Sequence, residues 1–222
     1  MCIRDSLLTA LRTAAASAVS IKYLAPKGAR VLGMIGAGHQ SAFQMRAAAR
    51  VRDFEKVIGW NPHPEMLTRL AETAAELGLP FEAVDLDRLG AEADVIVSIT
   101  SSFSPLLMNE HVRGETHIAA MGTDTKGKQE LDPALVARAK IYTDEVAQAV
   151  SIGECQHAVA QGLVEAAAIT RLGAAVNGTD PGRDGAEITL FDGTGVGLQD
   201  LAVAAKVVQL AQAKGIAQTV EI

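Results

Sequence analysis

The run VLGMIGAGHQS at residues 31–41 is an apolar stretch that breaks into Gly36-x-Gly38-x-x-Ser41. Residues of these types at this spacing describe a strand that turns sharply into a helix whose first N–H groups face a pyrophosphate. Gly36 permits the tight turn, Gly38 lets the backbone approach phosphate with no Cβ in the way, and the small Ser41 lets helix and strand pack closely. Ala37, His39 and Gln40 complete the loop, His39 and Gln40 through backbone N–H groups rather than side-chain chemistry. Glycines also serve ordinary turns, so the loop acquires meaning only from what surrounds it.

Other residues with chemical potential fall where strands should end. Asp124 follows the apolar strand 118–121 through Gly122 and Thr123, so its carboxylate should emerge at the sheet edge beside a nicotinamide, or else satisfy its own loop as an Asx-turn. Lys126 and Lys128 adjoin it, and solvent is the expected home of both. Asn61 ends the second strand where an acid would accept hydrogen bonds from a ribose 2′-hydroxyl. Without that acid NADP(H) is permitted, with His63 or Arg69 near the extra phosphate, and the expectation leans to NADP(H) over NAD(H). Ser101 and Ser102 either border the nicotinamide ribose or cap a turn. Arg12 lies on a helix, where most arginines are solvated, yet its planar fork suits a carboxylate.

The elements that must position these groups are legible from periodicity. An amphipathic stretch at 43–51 and a short apolar strand at 56–60 close a β-α-β unit of about 30 residues. Strand signals recur at 81–84, 95–100, 117–121, 140–143 and 188–191, mostly separated by helical patterns, which implies a parallel sheet. Ligands bind such sheets beyond the carboxyl ends of the strands, so Gly36, Asn61, Ser101 and Asp124 are expected along one edge. Long helical segments at 7–24 and 197–214 flank this unit.

Composition narrows the class. The 222 residues are 49% hydrophobic and carry a formal net charge of −6 without a Lys/Arg-rich run, which argues against nucleic acid as a partner. Apolar stretches are interrupted well before about 18 residues, so neither a membrane span nor a secretory leader is expected, and the cytoplasm is the default location. Cys2 and Cys155 are far apart and lack metal-ligand spacing, so no metal site is expected.

Four stretches occur in order: LTALRTAAASAVSIKYLA (8–25), IGAGHQS (35–41), AMGTDTKGKQELD (120–132) and LFDGTGVGLQDLA (190–202). Together they resemble the signature stretches of the ornithine cyclodeaminase/mu-crystallin family. The resemblance implies that Arg12 contacts the substrate α-carboxylate, that Asp124 receives a proton from the substrate amine, and that Asp192, Gly193 and Thr194 lie at the substrate side of the cleft. It also implies a small amino-acid or cyclic imino-acid substrate, a nicotinamide cofactor and a homodimer for the full-length protein. Members of the family carry a further segment ahead of the helix at 8–25, and MCIRDS shows no periodic pattern, so the chain is expected to start in mid-domain.

The expected architecture is α/β: a Rossmann-type, doubly wound, mostly parallel sheet at 26–195. Residues 1–25 and 196–222 are expected to be helical remnants of a discontinuous substrate and dimerisation domain. The expected chemistry is hydride transfer between a nicotinamide and an amino-acid α-carbon. It would take the form of an ornithine cyclodeaminase, converting ornithine to proline and ammonia, or of a related ketimine or pyrroline-2-carboxylate reductase. A non-catalytic, mu-crystallin-like nucleotide binder and an inactive fragment are the alternatives.

Overall fold

Side chains that alternate every two residues bury this sheet on both faces. A computed structural model describes residues 7–218, so residues 1–6 and Cys2 lie outside the described residues. The strands are β1 (Val31–Ile35), β2 (Lys56–Trp60), β3 (Phe81–Ala83), β4 (Val95–Ser98), β5 (Phe103–Leu107), β6 (Thr116–Ala120), β7 (Gln129–Leu131), β8 (Lys140–Thr143), β9 (Thr170–Arg171) and β10 (Ile188–Asp192). The helices are α1 (Leu7–Leu24), α2 (Ser41–Ala48), α3 (Leu67–Glu76), α4 (Leu86–Glu92), α5 (Pro133–Arg138), α6 (Val146–Ala149), α7 (Gln156–Ala160), α8 (Leu172–Asn177) and α9 (Gly197–Ala213). Leu32 and Met34 of β1, Val57 of β2 and Val95 and Val97 of β4 point to one face, toward Ile21 of α1, Met45 of α2 and Leu70 of α3. Ile35, Ile58, Ile96 and Ile118 point to the other, toward Leu89 of α4 and Leu135 of α5.

Eight strands form one sheet in the order β3-β2-β1-β4-β6-β10-β8-β9, with every pairing parallel. The six strands from β3 to β10 follow the doubly wound dinucleotide-binding order, which reverses direction between β1 and β4. The strand positions expected from periodicity all appear, with ends displaced by at most two residues. The parallel pair β5–β7 lies outside the main sheet and has no counterpart in the periodicity, because β5 begins with two exposed residues and contains Pro105, while β7 has only three residues.

Helix α1 buries Ala10, Ala14, Ser17, Ile21 and Leu24 at helical spacing, and its small residues let it lie close to α2. It is also clipped to the sheet by a buried polar contact. His117 of β6 is hydrogen-bonded to Ser20 Oγ at 3.1 Å and Thr189 Oγ1 at 2.9 Å. Burial pushes the His117 pKa down to about 3, so the ring is neutral. Through Ile21 and Leu24, α1 shares the core of the sheet. Helix α9 instead lies over α1 with no buried residue, leaving Leu198 and Leu201 exposed.

Candidate functional site

Where the strand order reverses, crossovers leave on opposite faces and a crevice opens at the carboxyl ends of β1 and β4. A cleft of about 430 Å³ occupies that place. Gly36 to Gln40 reach it from β1, Asn61 from β2, Thr100 and Ser101 from β4, and Gly122 and Asp124 from β6. The four positions expected along one edge therefore line one cavity.

The glycine loop has the form the spacing demands. Gly36 adopts φ +102°, and a Cβ there would sit 2.6 Å from the Ile99 carbonyl oxygen. Its N–H donates to the Trp60 carbonyl at 2.9 Å, tying the turn to the end of β2. A Cβ on Gly38 would meet nothing within 4 Å, which leaves the loop open to a ligand. Ser41, standing where a third glycine is usual, is buried and turns its hydroxyl back to the Gly38 carbonyl at 2.7 Å. Helix α2 begins without a side-chain cap at Gln40, and among the described residues no acceptor faces the amides of Gly38, His39 and Gln40. Unspent N–H groups at a helix start form an anion cradle, so these residues fit the pyrophosphate of a dinucleotide.

Asn61 braces this loop. Its Oδ1 accepts from the Ala37 N–H at 3.0 Å and its Nδ2 donates to the His63 carbonyl at 2.9 Å. Of the two cations expected near a 2′-phosphate, Arg69 donates to the Ala37 carbonyl at 3.2 Å, and the His63 side chain is 69% exposed. Ser101 lines the cleft but Ser102 does not. The Ser102 hydroxyl donates to the Ser104 carbonyl and accepts from the Ser104 N–H, which commits it to the turn.

Asp124 stands at the cleft with its side chain 60% exposed, and its Oδ1 accepts from Lys128 Nζ at 2.7 Å and Thr125 Oγ1 at 3.1 Å. Its partners are side chains, so the Asx-turn alternative is not what holds it. Lys128 was expected in solvent. Its side chain is instead only 17% exposed, because Nζ reaches both Asp124 and the Gly122 carbonyl. Arg12 does not line this cleft. It borders a second, mainly apolar cavity of about 370 Å³ between α1, α8 and α9, where its Nε lies 3.4 Å from Asp200 and its Nη1 donates to Gln199 Oε1 at 3.4 Å.

Sequence patterning did not single out Glu130 and Glu154, two of the three acids beneath the cleft. Glu130, Glu154 and Asp192 are all buried, and burial raises the pKa of each, Glu154 to about 8 and Asp192 to about 7. Asp192, expected at the substrate side, accepts instead from the Cys155 N–H at 3.0 Å. The neighbouring Thr194 donates through both N–H and hydroxyl to Asp144. Among the described residues, no group of three or more His, Cys, Asp or Glu side chains could hold a metal, and no helix is long and apolar enough to cross a membrane.

The model of the ornithine cyclodeaminase/mu-crystallin family matches residues 2–215. Iminosuccinate reductase of Paracoccus denitrificans is 83% identical over 220 residues, covering 99% of this chain and 69% of that protein. Its crystal structure in complex with NAD+ superposes with a TM-score of 0.97 at 82% identity, covering 98% of this chain and 68% of that one. An archaeal alanine dehydrogenase dimer with bound NAD superposes with a TM-score of 0.93 at 34% identity, covering 98% and 68%. Ornithine cyclodeaminase of Brucella suis is 33% identical, covering 88% of this chain and 54% of that protein. The chain thus spans roughly half to two thirds of the length of these relatives.

Proposed function

Because the chain belongs to the ornithine cyclodeaminase/mu-crystallin family, we propose that it serves the NAD(H)-dependent reduction of an imino acid, with 2-iminosuccinate as substrate and aspartate as product. The observation that carries the reading is a single cleft joining an anion cradle at Gly36–Gln40 to the Asp124 carboxylate. The substrate follows the reductase relative at 83% identity rather than the cyclodeaminase at 33%, so ring closure of ornithine is set aside. NAD(H) replaces the expected lean to NADP(H). It is the nucleotide of the similar solved structures, and Arg69 is already engaged at the glycine loop.

In this reading the amides of Gly38, His39 and Gln40 hold the pyrophosphate, and Asn61 keeps the loop in shape through Ala37. When bound, the reduced nicotinamide supplies a hydride to the imine carbon. Asp124 pairs with the protonated imine nitrogen, which favours the electrophilic iminium form, and that proton stays on the amine product. Lys128 orients Asp124 through its Nζ, which also donates to the Gly122 carbonyl. Arg12 borders the neighbouring cavity, and would take a substrate carboxylate bidentately only by leaving its present partners Asp200 and Gln199.

The placement of Arg12 outside the Asp124 cleft favours a second reading, nucleotide binding without turnover. NADH fluorescence titration followed by a turnover assay with oxaloacetate, ammonium and NADH separates the two. The expected result is saturable NADH binding with aspartate formation. Asp124→Asn should lower turnover by about a hundredfold or more while leaving the NADH Kd nearly unchanged. Absence of NADH binding overturns the proposal, and binding without aspartate formation selects the second reading.

A further inference from the structure

Glu130 is buried beneath the cleft and does not line it, yet both of its carboxylate oxygens are spent on the residues that do. Oε1 accepts from the Thr100 N–H at 2.6 Å and Oε2 from the Gly122 N–H at 3.0 Å. Thr100 follows β4 and Gly122 follows β6, so one side chain ties together two neighbouring strand ends. Lys128 grips the same residue from the cleft side, donating to the Gly122 carbonyl at 3.3 Å. Gly122 cannot carry a side chain, since a Cβ would collide with the Thr100 carbonyl and the Glu130 carboxyl group.

The clamp is itself anchored from below. The Glu154 carboxyl oxygens accept from the backbone N–H of Glu130 at 3.0 Å and of Leu131 at 2.7 Å, and from the Thr123 hydroxyl. Buried carboxyl groups are costly, and apolar side chains would fill this volume more favourably. What these acids do that apolar side chains cannot is hold N–H groups at fixed separations. One of them, the Gly122 N–H, belongs to the turn that presents Asp124, and the Thr100 N–H belongs to the neighbouring strand end.

We propose that Glu130 is a positioning residue, setting the spacing of Thr100 and Gly122, and through Gly122 the direction of Asp124, so that the nicotinamide half of the cleft is correctly shaped. The inference rests on the reading of the cleft as an NAD(H) site. The ADP half is shaped by Gly36–Gln40 and Asn61, to which Glu130 makes no hydrogen bond.

Calorimetric titration of the chain with NADH and with ADP-ribose tests this, because ADP-ribose lacks the nicotinamide ring. Glu130→Gln keeps the length of the side chain but turns an amide donor toward one of the two N–H groups. It should weaken NADH binding by about tenfold or more and leave ADP-ribose binding within about twofold of wild type. Glu130→Asp keeps the carboxyl group but cannot span both partners, and should behave the same way; it decides the matter if circular dichroism shows Glu130→Gln unfolded. Equal losses for both ligands, unchanged NADH affinity, or restoration by Glu130→Asp would overturn the inference. A wild-type chain that binds neither ligand overturns the underlying reading of the cleft and this inference with it, whereas wild-type binding with unselective variants overturns the inference alone.

Discussion

Replacing Gly36 by alanine tests the cradle most directly. At φ +102° an L-residue pays roughly 1–3 kcal/mol of backbone strain. The added Cβ would also stand 2.6 Å from the Ile99 carbonyl oxygen and 3.0 Å from Thr100 Cγ2. Ile99 O is backbone just beyond β4, so it cannot rotate aside, and the loop must move instead. Strain and clash together set a loss of about 2–4 kcal/mol, which for a chain of this size lowers the melting temperature by about 5–15 °C. Displacing the loop also misaims the amides of Gly38, His39 and Gln40. Loss of one or two charge-assisted hydrogen bonds raises the NADH Kd by at least about tenfold. Differential scanning fluorimetry and NADH titration read both effects. Gly38→Ala is the control: its Cβ meets nothing, so stability should hold while the methyl group, standing in the open cleft, weakens NADH binding. A Gly36→Ala protein with wild-type melting temperature and NADH affinity would refute the steric argument.

Asn61→Ala should strand the buried Ala37 N–H, costing about 1–3 kcal/mol and weakening NADH, whereas Asn61→Asp retains the acceptor and should keep most of the stability; equal melting temperatures for the two variants would contradict this. Asp192 has a folded pKa raised to about 7 by burial, so the unfolded chain releases its proton first. Its contribution to stability therefore falls as pH rises from about 4 through 7, and Asp192→Asn should flatten the denaturant-midpoint profile over that window. His117 acts in the opposite sense. With its folded pKa lowered to about 3, its contribution is complete above about 6.5 and is lost as pH falls toward 3, a slope that His117→Gln should remove.

Local chemistry made some features of this protein legible before any contact was known. The Gly36-x-Gly38-x-x-Ser41 loop is such a feature, because the constraints on it, a positive φ and a close approach of backbone, act within a few residues. The strands of the main sheet are another: burial on both faces demands near-continuous apolar runs, and those runs are visible one by one. Helix α1 was equally plain, with small and apolar residues at helical spacing from Leu7 to Leu24. The β5–β7 pair escaped because β5 begins with two exposed residues and carries a proline, and β7 is three residues long, so neither leaves an apolar run.

The site divides along the same line. Gly36, Asn61, Ser101 and Asp124 could be assigned to one edge because a parallel sheet places all its strand ends on one side, a rule that needs only the order of elements. Ser102, Arg12 and Lys128 could not be placed that way. Whether a flexible or turn-forming side chain faces the cleft depends on competing partners, here Ser104, Asp200 and Gly122, that lie on other segments or across a turn.

Residue order alone thus determined the α/β class, the glycine cradle and the edge on which chemistry would gather, since each follows from backbone sterics and periodic burial within short windows. Only the tertiary structure decided that Asn61 braces the cradle, that Arg12 points into a different cavity, and that Glu130 and Glu154 hold the cleft from beneath. Those outcomes depend on hydrogen bonds between residues up to 187 positions apart, whose energies are set by distance and burial and leave no mark on the local pattern.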